Sequence, residues 1–304
     1  MVKIFIADDD LEILELLKFT FENENYEVIT ATDGEDAYNR IAAIKPNIVI
    51  LDVNMPKLTG FEVCDKIREN SSTCLIPVIM LTSLTKTKDK ITGIKLGADE
   101  YLGKPFEPFE IIARVEGLLK RTKVSLSANP LTGLPGNVSI EAEITKNIES
   151  KSDFSVAYLD ADNFKAFNDK YGFERGDSII RLMAVILRSA IAEFGNINDF
   201  LGHLGGEDYV LISSSDKIVK IVERVMEVFD SLIPCQYDED VRTKGYMMGL
   251  NRRNEQEKFP LMSISIGIVH VNPASYSHYS QVVEKAKEVL KKAKTISGSA
   301  YKIV

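Results

Sequence analysis

The chain has 304 residues, 45% of them hydrophobic and 27% charged, and a net charge of -8. That length suits two domains, each burying its own core, and no apolar run approaches the length needed to cross a bilayer. The acidic balance argues against a nucleic-acid partner, which needs a basic surface, and Cys64, Cys74 and Cys235 give neither a disulfide framework nor a metal-ligand spacing.

The start, Met1-Val2-Lys3-Ile4-Phe5-Ile6, runs straight into acids at Asp8 and lacks the features of a signal peptide, so a cytoplasmic protein is expected. Residues 1 to 121 alternate apolar runs with amphipathic stretches. The runs are Ile4-Phe5-Ile6-Ala7, Tyr26-Glu27-Val28-Ile29, Ile48-Val49-Ile50-Leu51, Val78-Ile79-Met80-Leu81 and a short Tyr101-Leu102. Between the first two, Leu11, Leu14, Leu17 and Phe21 recur at three- and four-residue steps, which predicts a helix. Strands apolar throughout and alternating with helices predict an α/β domain, a doubly wound five-stranded parallel sheet covered on both faces. Ligands of such sheets gather beyond the carboxyl ends of the strands. Asp8 and Asp9 stand at the end of the first strand, Asp52 the third, Thr82 the fourth and Lys104 the fifth. Any one of them reads as a solvated loop residue; five together read as a site. Three crowded carboxylates suit a hard cation such as magnesium, and Asp52 is then a candidate nucleophile for a phosphoryl group, with Lys104 and the Thr82 hydroxyl beside it.

The last helix of this half, apolar at Phe109, Ile112, Ala113, Val115 and Leu119, is expected to end in Lys120-Arg121-Thr122-Lys123, and residues 122–130 read as a short tether. A second domain is expected over 131–304. Phe154, Val156 and Tyr158 alternate in a strand that ends in Asp160-Ala161-Asp162, and a helix runs from about Asp177. Leu204 to Ile212 reads as a hairpin with Gly205-Gly206 at its turn. An acidic strand end and an acidic hairpin tip are sources of magnesium ligands for a triphosphate. Taken alone, a Gly-Gly-Glu-Asp tip is more often plain turn chemistry.

Ala7-Asp8-Asp9-Asp10, Leu51-Asp52-Val53-Asn54-Met55-Pro56, Met80-Leu81-Thr82-Ser83 and Gly97-Ala98-Asp99-Glu100-Tyr101-Leu102-Gly103-Lys104-Pro105-Phe106 resemble the receiver domain of two-component response regulators. The resemblance implies a flavodoxin-like fold in which Asp8, Asp9 and Asp52, with the backbone carbonyl of Asn54, hold magnesium. It also implies that a cognate histidine kinase phosphorylates Asp52, that Lys104 pairs with the phosphoryl group, and that Thr82 and Tyr101 are switch residues. The peptide bond between Lys104 and Pro105 is often cis in that family.

Asn129-Pro130-Leu131-Thr132-Gly133-Leu134-Pro135, Asp160 through Asp177, Gly205 through Tyr209 and Ser263-Ile264-Ser265-Ile266-Gly267 resemble the GGDEF diguanylate cyclases. This implies an α/β domain with a mainly antiparallel sheet, related to nucleotidyl cyclases, that condenses two GTP into cyclic di-GMP as a homodimer. By the resemblance, Asp160, Glu207 and the Ala161 carbonyl hold magnesium, and Asn168 and Asp177 read guanine. Amides around Asn163, Phe164 and Lys165 cradle phosphates, as does Lys294, and Asp208 lies beside the reacting groups. The chain departs from the pattern at Asp208 (usually Glu), at Tyr209 (usually Phe), and at Gly298-Ser299-Ala300, where the family has an Arg-Asn pair. The Leu-Pro-Asn-Arg start is here Leu134-Pro135-Gly136-Asn137, and the Arg-x-x-Asp inhibitory site reads Asn196-Ile197-Asn198-Asp199. A slow cyclase with weak product inhibition is expected; the alternative is a silent module that binds GTP or cyclic di-GMP. Residues 234–260, with Tyr237-Asp238-Glu239-Asp240 and Arg252-Arg253-Asn254, read as an inserted β-rich segment without an assigned role.

Overall fold

The structure, a computed structural model, describes residues 1–83, 97–250 and 255–304 in two units, Met1–Lys123 and Val124–Val304. Arg252, Arg253 and Asn254 therefore lie outside the described residues.

In the first unit the apolar runs become β1 (Lys3–Ala7), β2 (Glu27–Ala31), β3 (Ile48–Asp52), β4 (Val78–Thr82) and β5 (Glu100–Gly103). All pair in parallel, in the order β2-β1-β3-β4-β5. Strand order reverses between β1 and β3, so their carboxyl ends open side by side. Alternate residues feed two cores: Phe5, Val49 and Leu51 on one face, Ile4, Ile6, Ile48 and Ile50 on the other. Asp10 starts α1 (Leu11–Asn23) by accepting from the amides of Glu12 and Ile13, and the helix buries Leu14, Leu17 and Phe21. On the opposite face lie α2 (Gly34–Ile44), capped by Asp33, and α3 (Gly60–Glu69), held by a Thr59–Glu62 capping box.

The helix expected to end at residues 120–123 does not end there. α4 runs from Pro108 to Ser127, because no proline comes after Pro108 until Pro130, and Pro130 disfavours helical backbone at Asn129. Residues 128–136 are not a free tether either. The Asn129 side chain accepts from the amides of Leu131 and Thr132, and its own amide donates to Leu134 O at 2.9 Å. These bonds close a turn on which Pro135 O receives the His203 amide.

The second unit is built on β6 (Phe154–Ala161), β7 (Phe200–Gly205), β8 (Asp208–Ser213), β11 (Ile264–Val271) and β12 (Ala300–Ile303), in the order β12-β11-β6-β8-β7. Pairing is antiparallel except between β11 and β12. Ala157, Leu159 and Ala161 of the central β6 face a core shared with α6 (Phe164–Tyr171), α7 (Phe173–Phe194) and α8 (Ile218–Leu232). Phe154, Val156 and Tyr158 face the other, shared with α5 (Asn137–Glu149) and α10 (Tyr279–Ala293). Close packing of α10 depends on Gly267, where a Cβ would lie 2.4 Å from Leu290 N.

The inserted residues fold as a 3-10 turn (Ile233–Gln236), α9 (Glu239–Lys244) and a hairpin of β9 (Tyr246–Leu250) with β10 (Gln256–Pro260). They are fastened to α6 and α7. The buried Tyr237 meets Phe167 and Tyr171 edge-on at 5.1 and 5.8 Å, and its hydroxyl accepts from Met262 N at 2.9 Å. Arg175 lies over the Tyr171 ring at 4.1 Å and donates to Gln236 O and Asp238 Oδ1.

Candidate functional site

At the carboxyl edge of the first sheet, Asp8 and Asp52 are buried, at 0% and 4% exposure, while Asp9 is exposed. Lys104 Nζ bridges them, 2.7 Å from Asp8 Oδ2 and 2.6 Å from Asp52 Oδ1. Asp52 Oδ2 accepts from the Asn54 amide at 2.6 Å, and Asp8 Oδ1 from the Asp10 amide at 3.0 Å. Carboxylate oxygens of Asp8, Asp9 and Asp52 come within 4.8 Å of one another. Burial holds the Asp8 carboxyl above its usual range despite Lys104. Burial also works against the Lys104 ammonium, but hydrogen bonds to Asp52 and Asp8 outweigh it and raise its pKa. Three hard-oxygen donors against one cation are the donor set that a magnesium ion fits. Thr82 is buried at the end of β4. Tyr101, opposite Met80 on β5, packs on the core; its hydroxyl is buried without a partner, and burial pushes its pKa up to about 12. The bond between Lys104 and Pro105 is cis.

In the second unit, Asp160 near the end of β6 is the cross-strand partner of Asp208 at the start of β8, with Glu207 at the intervening turn. Lys294 Nζ reaches Asp160 Oδ1 at 2.6 Å and Asp162 Oδ1 at 3.9 Å. Asp162 is occupied otherwise: its Oδ2 accepts from the hydroxyls of Ser263 and Ser265 at 3.0 and 2.7 Å. Burial, and after it the charges of Asp160 and Glu207, pushes the Asp208 pKa up to about 6. Asn163 takes a left-handed backbone (φ 63°) before α6, a conformation Asn tolerates, and the turn leads into the free amides of a helix N-terminus, which favour anions. A cavity of about 440 Å³ lies between these elements, lined by Asp160, Glu207, Lys294, Asn163, Phe164 and Lys165.

Asn168 and Asp177 do not line that cavity. The Asn168 side chain occupies the space opposite Gly176, where a Cβ would stand 1.8 Å from its Oδ1, and that oxygen is buried without a partner. Asp177, half-buried, is the next residue on α7. Asn196 and Asp199 bind each other, Asp199 Oδ2 accepting from the Asn196 amide at 2.8 Å. Both line a separate cavity of about 480 Å³ that has no lysine or arginine in its wall.

Two features have no counterpart in the sequence motifs. Glu257 and Phe259, on β10 of the insertion, form a wall of the 440 Å³ cavity. His203 is almost fully buried, stacked on Tyr209 with ring centres 4.3 Å apart. Its Nε2 lies 2.9 Å from Gly206 O and its Nδ1 2.9 Å from Thr132 Oγ1. A carbonyl only accepts, so Nε2 carries the hydrogen and Nδ1 accepts from Thr132. His203 thereby ties the Gly205-Gly206 turn to the Asn129–Pro135 segment. Burial lowers its pKa. The Tyr209 hydroxyl donates to Ile180 O at 2.6 Å, pinning the same turn to α7.

Comparison with known proteins matches residues 127–299, more than half of the chain, to the diguanylate cyclase GGDEF domain. This chain belongs to the GGDEF diguanylate cyclase family. Residues 4–116 match the response regulator receiver domain, so the GGDEF domain here comes after a receiver domain, in a response regulator with a diguanylate cyclase-type output. The alkaline phosphatase synthesis transcriptional regulatory protein PhoP of Bacillus subtilis is 40% identical over 129 residues, 42% of this chain and 53% of that protein. The DNA-binding dual master transcriptional regulator RpaA of Synechocystis sp. is 43% identical over 122 residues, 40% of this chain and 51% of that protein. The chain thus spans about half the length of the curated relatives it matches. Among solved structures, Vibrio cholerae CheY4 is 34% identical with a TM-score of 0.38 and covers 39% of this chain and 98% of its own. A Francisella response regulator receiver domain is 37% identical with a TM-score of 0.38, over 40% and 99%. In the GGDEF domain the signature turn reads Gly205-Gly206-Glu207-Asp208-Tyr209. No helix among the described residues is long and apolar enough to cross a membrane.

Proposed function

We propose that this chain is a phosphorylation-gated diguanylate cyclase, cytoplasmic and acting as a homodimer, slowed by the short acid at position 208. The observation that carries the reading is the pairing of Asp160 with Asp208 across β6 and β8, beside Glu207 and Lys294, at the mouth of a cavity entered by the Asn163 turn.

In the receiver, Asp8, Asp9, Asp52 and the Asn54 carbonyl would hold magnesium; in the GGDEF domain, Asp160, Glu207 and the Ala161 carbonyl would do so. Magnesium bound at either place supplies positive charge against phosphoryl oxygens. The Asp52 carboxylate attacks the phosphohistidine of a partner kinase: a bond forms from its oxygen to phosphorus, the phosphorus–nitrogen bond breaks, and the imidazole keeps that electron pair. Lys104, already 2.6 Å from Asp52, then neutralises a phosphoryl oxygen. Thr82 and Tyr101 read the change, Thr82 through its hydroxyl and Tyr101 through a ring whose hydroxyl lacks a partner.

Each protomer holds one GTP. The orphaned Asn168 Oδ1 and the Asp177 carboxylate accept from guanine N–H groups; Lys294 and the amides of residues 163–165 hold the phosphates. The 3′-hydroxyl of each nucleotide attacks the α-phosphorus of the other. A new phosphorus–oxygen bond forms, the bond to the bridging oxygen breaks, and pyrophosphate leaves with the electron pair. Asp208, with a pKa of about 6, is suited to take the hydroxyl proton close to neutral pH. Its side chain is one methylene shorter than Glu, and a misplacement of about 1 Å can cost on the order of a hundredfold in rate.

One observation favours a silent nucleotide-binding module instead. Ser299, standing where the family has Arg, is engaged structurally: its hydroxyl donates to Asp230 and accepts from the Ile264 amide. Incubating the full chain with GTP and magnesium, with and without a phosphoryl mimic, and chromatographing the products separates the readings. Cyclic di-GMP that increases with the mimic is expected. GTP bound but never converted, in wild type and in Asp208→Glu alike, refutes the cyclase.

A further inference from the structure

Behind the signature acid lies a second cavity, of about 560 Å³, that neither phosphoryl transfer nor cyclisation uses. Lys287, Lys291 and Lys294 border it along one stripe of α10 and its C-cap, and Tyr158, Leu204 and Leu290 form the apolar part of its wall. Asp208 belongs to this wall, and Lys294 lines both this cavity and the nucleotide cavity, so the two share a boundary.

The charges on α10 fall into two groups. Lys285 and Lys292 are both relieved by Glu288, at 2.9 and 2.7 Å. Lys287 and Lys291 make no ion pair among the described residues. Like charges four residues apart on a helix repel. The helix dipole favours cations only in the last turn, which accounts for Lys291 but not for Lys287. Two unrelieved ammonium groups, about 6 Å apart along the axis, are close enough to hold one polyphosphate between them. The aromatic and aliphatic wall lowers the local dielectric and strengthens that attraction.

We infer that this cavity is a polyphosphate site, and that Lys287 and Lys291 receive the pyrophosphate expelled from the neighbouring cavity, with Lys294 at the shared boundary. The site is for the anion; only its assignment to the leaving group rests on the cyclase reading. Free pyrophosphate and the phosphate tail of a nucleotide carry the same chemistry, so the test must separate them.

The experiment is calorimetric titration of the full chain with inorganic pyrophosphate, and separately with GTP and magnesium. It compares wild type, the double variant Lys287→Ala/Lys291→Ala and Glu207→Ala. Lys287 and Lys291 are exposed, and circular dichroism checks that the double variant is folded. Pyrophosphate binding is expected to weaken at least tenfold in the double variant and to persist in Glu207→Ala, while GTP binding is expected to weaken in Glu207→Ala and persist in the double variant. Equal pyrophosphate affinity in wild type and double variant overturns the site. So does equal loss of GTP and pyrophosphate in the double variant, which would place the nucleotide's own tail on these lysines. Failure of the cyclase reading looks different: pyrophosphate binds with the expected pattern, yet no cyclic di-GMP forms from GTP.

Discussion

Replacing His203 by Phe keeps a flat ring against Tyr209 but removes both hydrogen bonds that tie the signature turn to the Asn129–Pro135 segment. Each bond contributes about 0.5–1.5 kcal/mol net, and a partner left buried costs more. Gly206 is exposed and Thr132 half-buried, so water recovers part of the loss, and His203→Phe should cost about 1–3 kcal/mol at about pH 7.5. Because the chain has no tryptophan, urea unfolding is monitored by circular dichroism, with a separate transition fitted for each unit. The pH dependence adds a second test. The folded pKa of His203 is depressed, so the unfolded chain takes up a proton below about pH 6.5 that the folded one resists. His203 therefore contributes fully above that pH, and its contribution is lost as pH falls through the folded pKa. The stability gap between wild type and variant should narrow from about pH 7.5 to about pH 5.5, a comparison in which groups common to both proteins cancel. A variant as stable as wild type at the higher pH, or a gap constant with pH, would refute the account.

Mass spectrometry after treatment with a small phosphodonor should find phosphate on wild type and none on Asp52→Ala; equal incorporation sinks Asp52 as acceptor. Asp208→Glu should raise product formation by about tenfold or more with little change in GTP affinity, measured by chromatography and calorimetry; an unchanged rate removes the reach explanation. Phe259→Ala should weaken GTP binding about threefold to tenfold, through loss of one wall of the cavity, and unchanged affinity would reduce the insertion to scaffolding. Cyclic di-GMP should bind the chain weakly, since Asn196 cannot offer the forked cationic donor of Arg; submicromolar binding that disappears in Asp199→Ala would contradict this.

The parallel sheet was legible because strands buried on both faces read as unbroken apolar runs. The residues at their carboxyl ends were legible because topology, and not local context, brings them together. The stretch after Leu119 was harder to read. Lys120-Arg121-Thr122-Lys123 resembles a helix end, yet nothing there breaks a helix, and α4 stops only as Pro130 approaches. The fastening of the insertion depends on Arg175, Tyr171 and Tyr237, more than 60 residues apart at the extremes and without periodicity to link them. His203 was missed for a related reason. A lone histidine in a strand reads as core, and its two partners, Thr132 and Gly206, become its neighbours only once β7 is in place. Asn168 and Asp177 come from resemblance; what the fold adds is the unsatisfied oxygen beside Gly176.

Asp160 and Asp208 face each other because the β6–β8 ladder places them in register, and Asp160 is equally fixed against Ser265 on β11. A slip of a single residue would carry Asp208 to the opposite face of the sheet. The cluster is therefore as cooperative as the sheet itself, and a loosened, collapsed chain has no partial version of it. Any ligand that requires both acids selects molecules with the ladder fully formed and stabilises them by mass action. Its occupancy then counts correctly folded GGDEF domains, which makes saturating nucleotide a direct assay for misregistered material in a preparation.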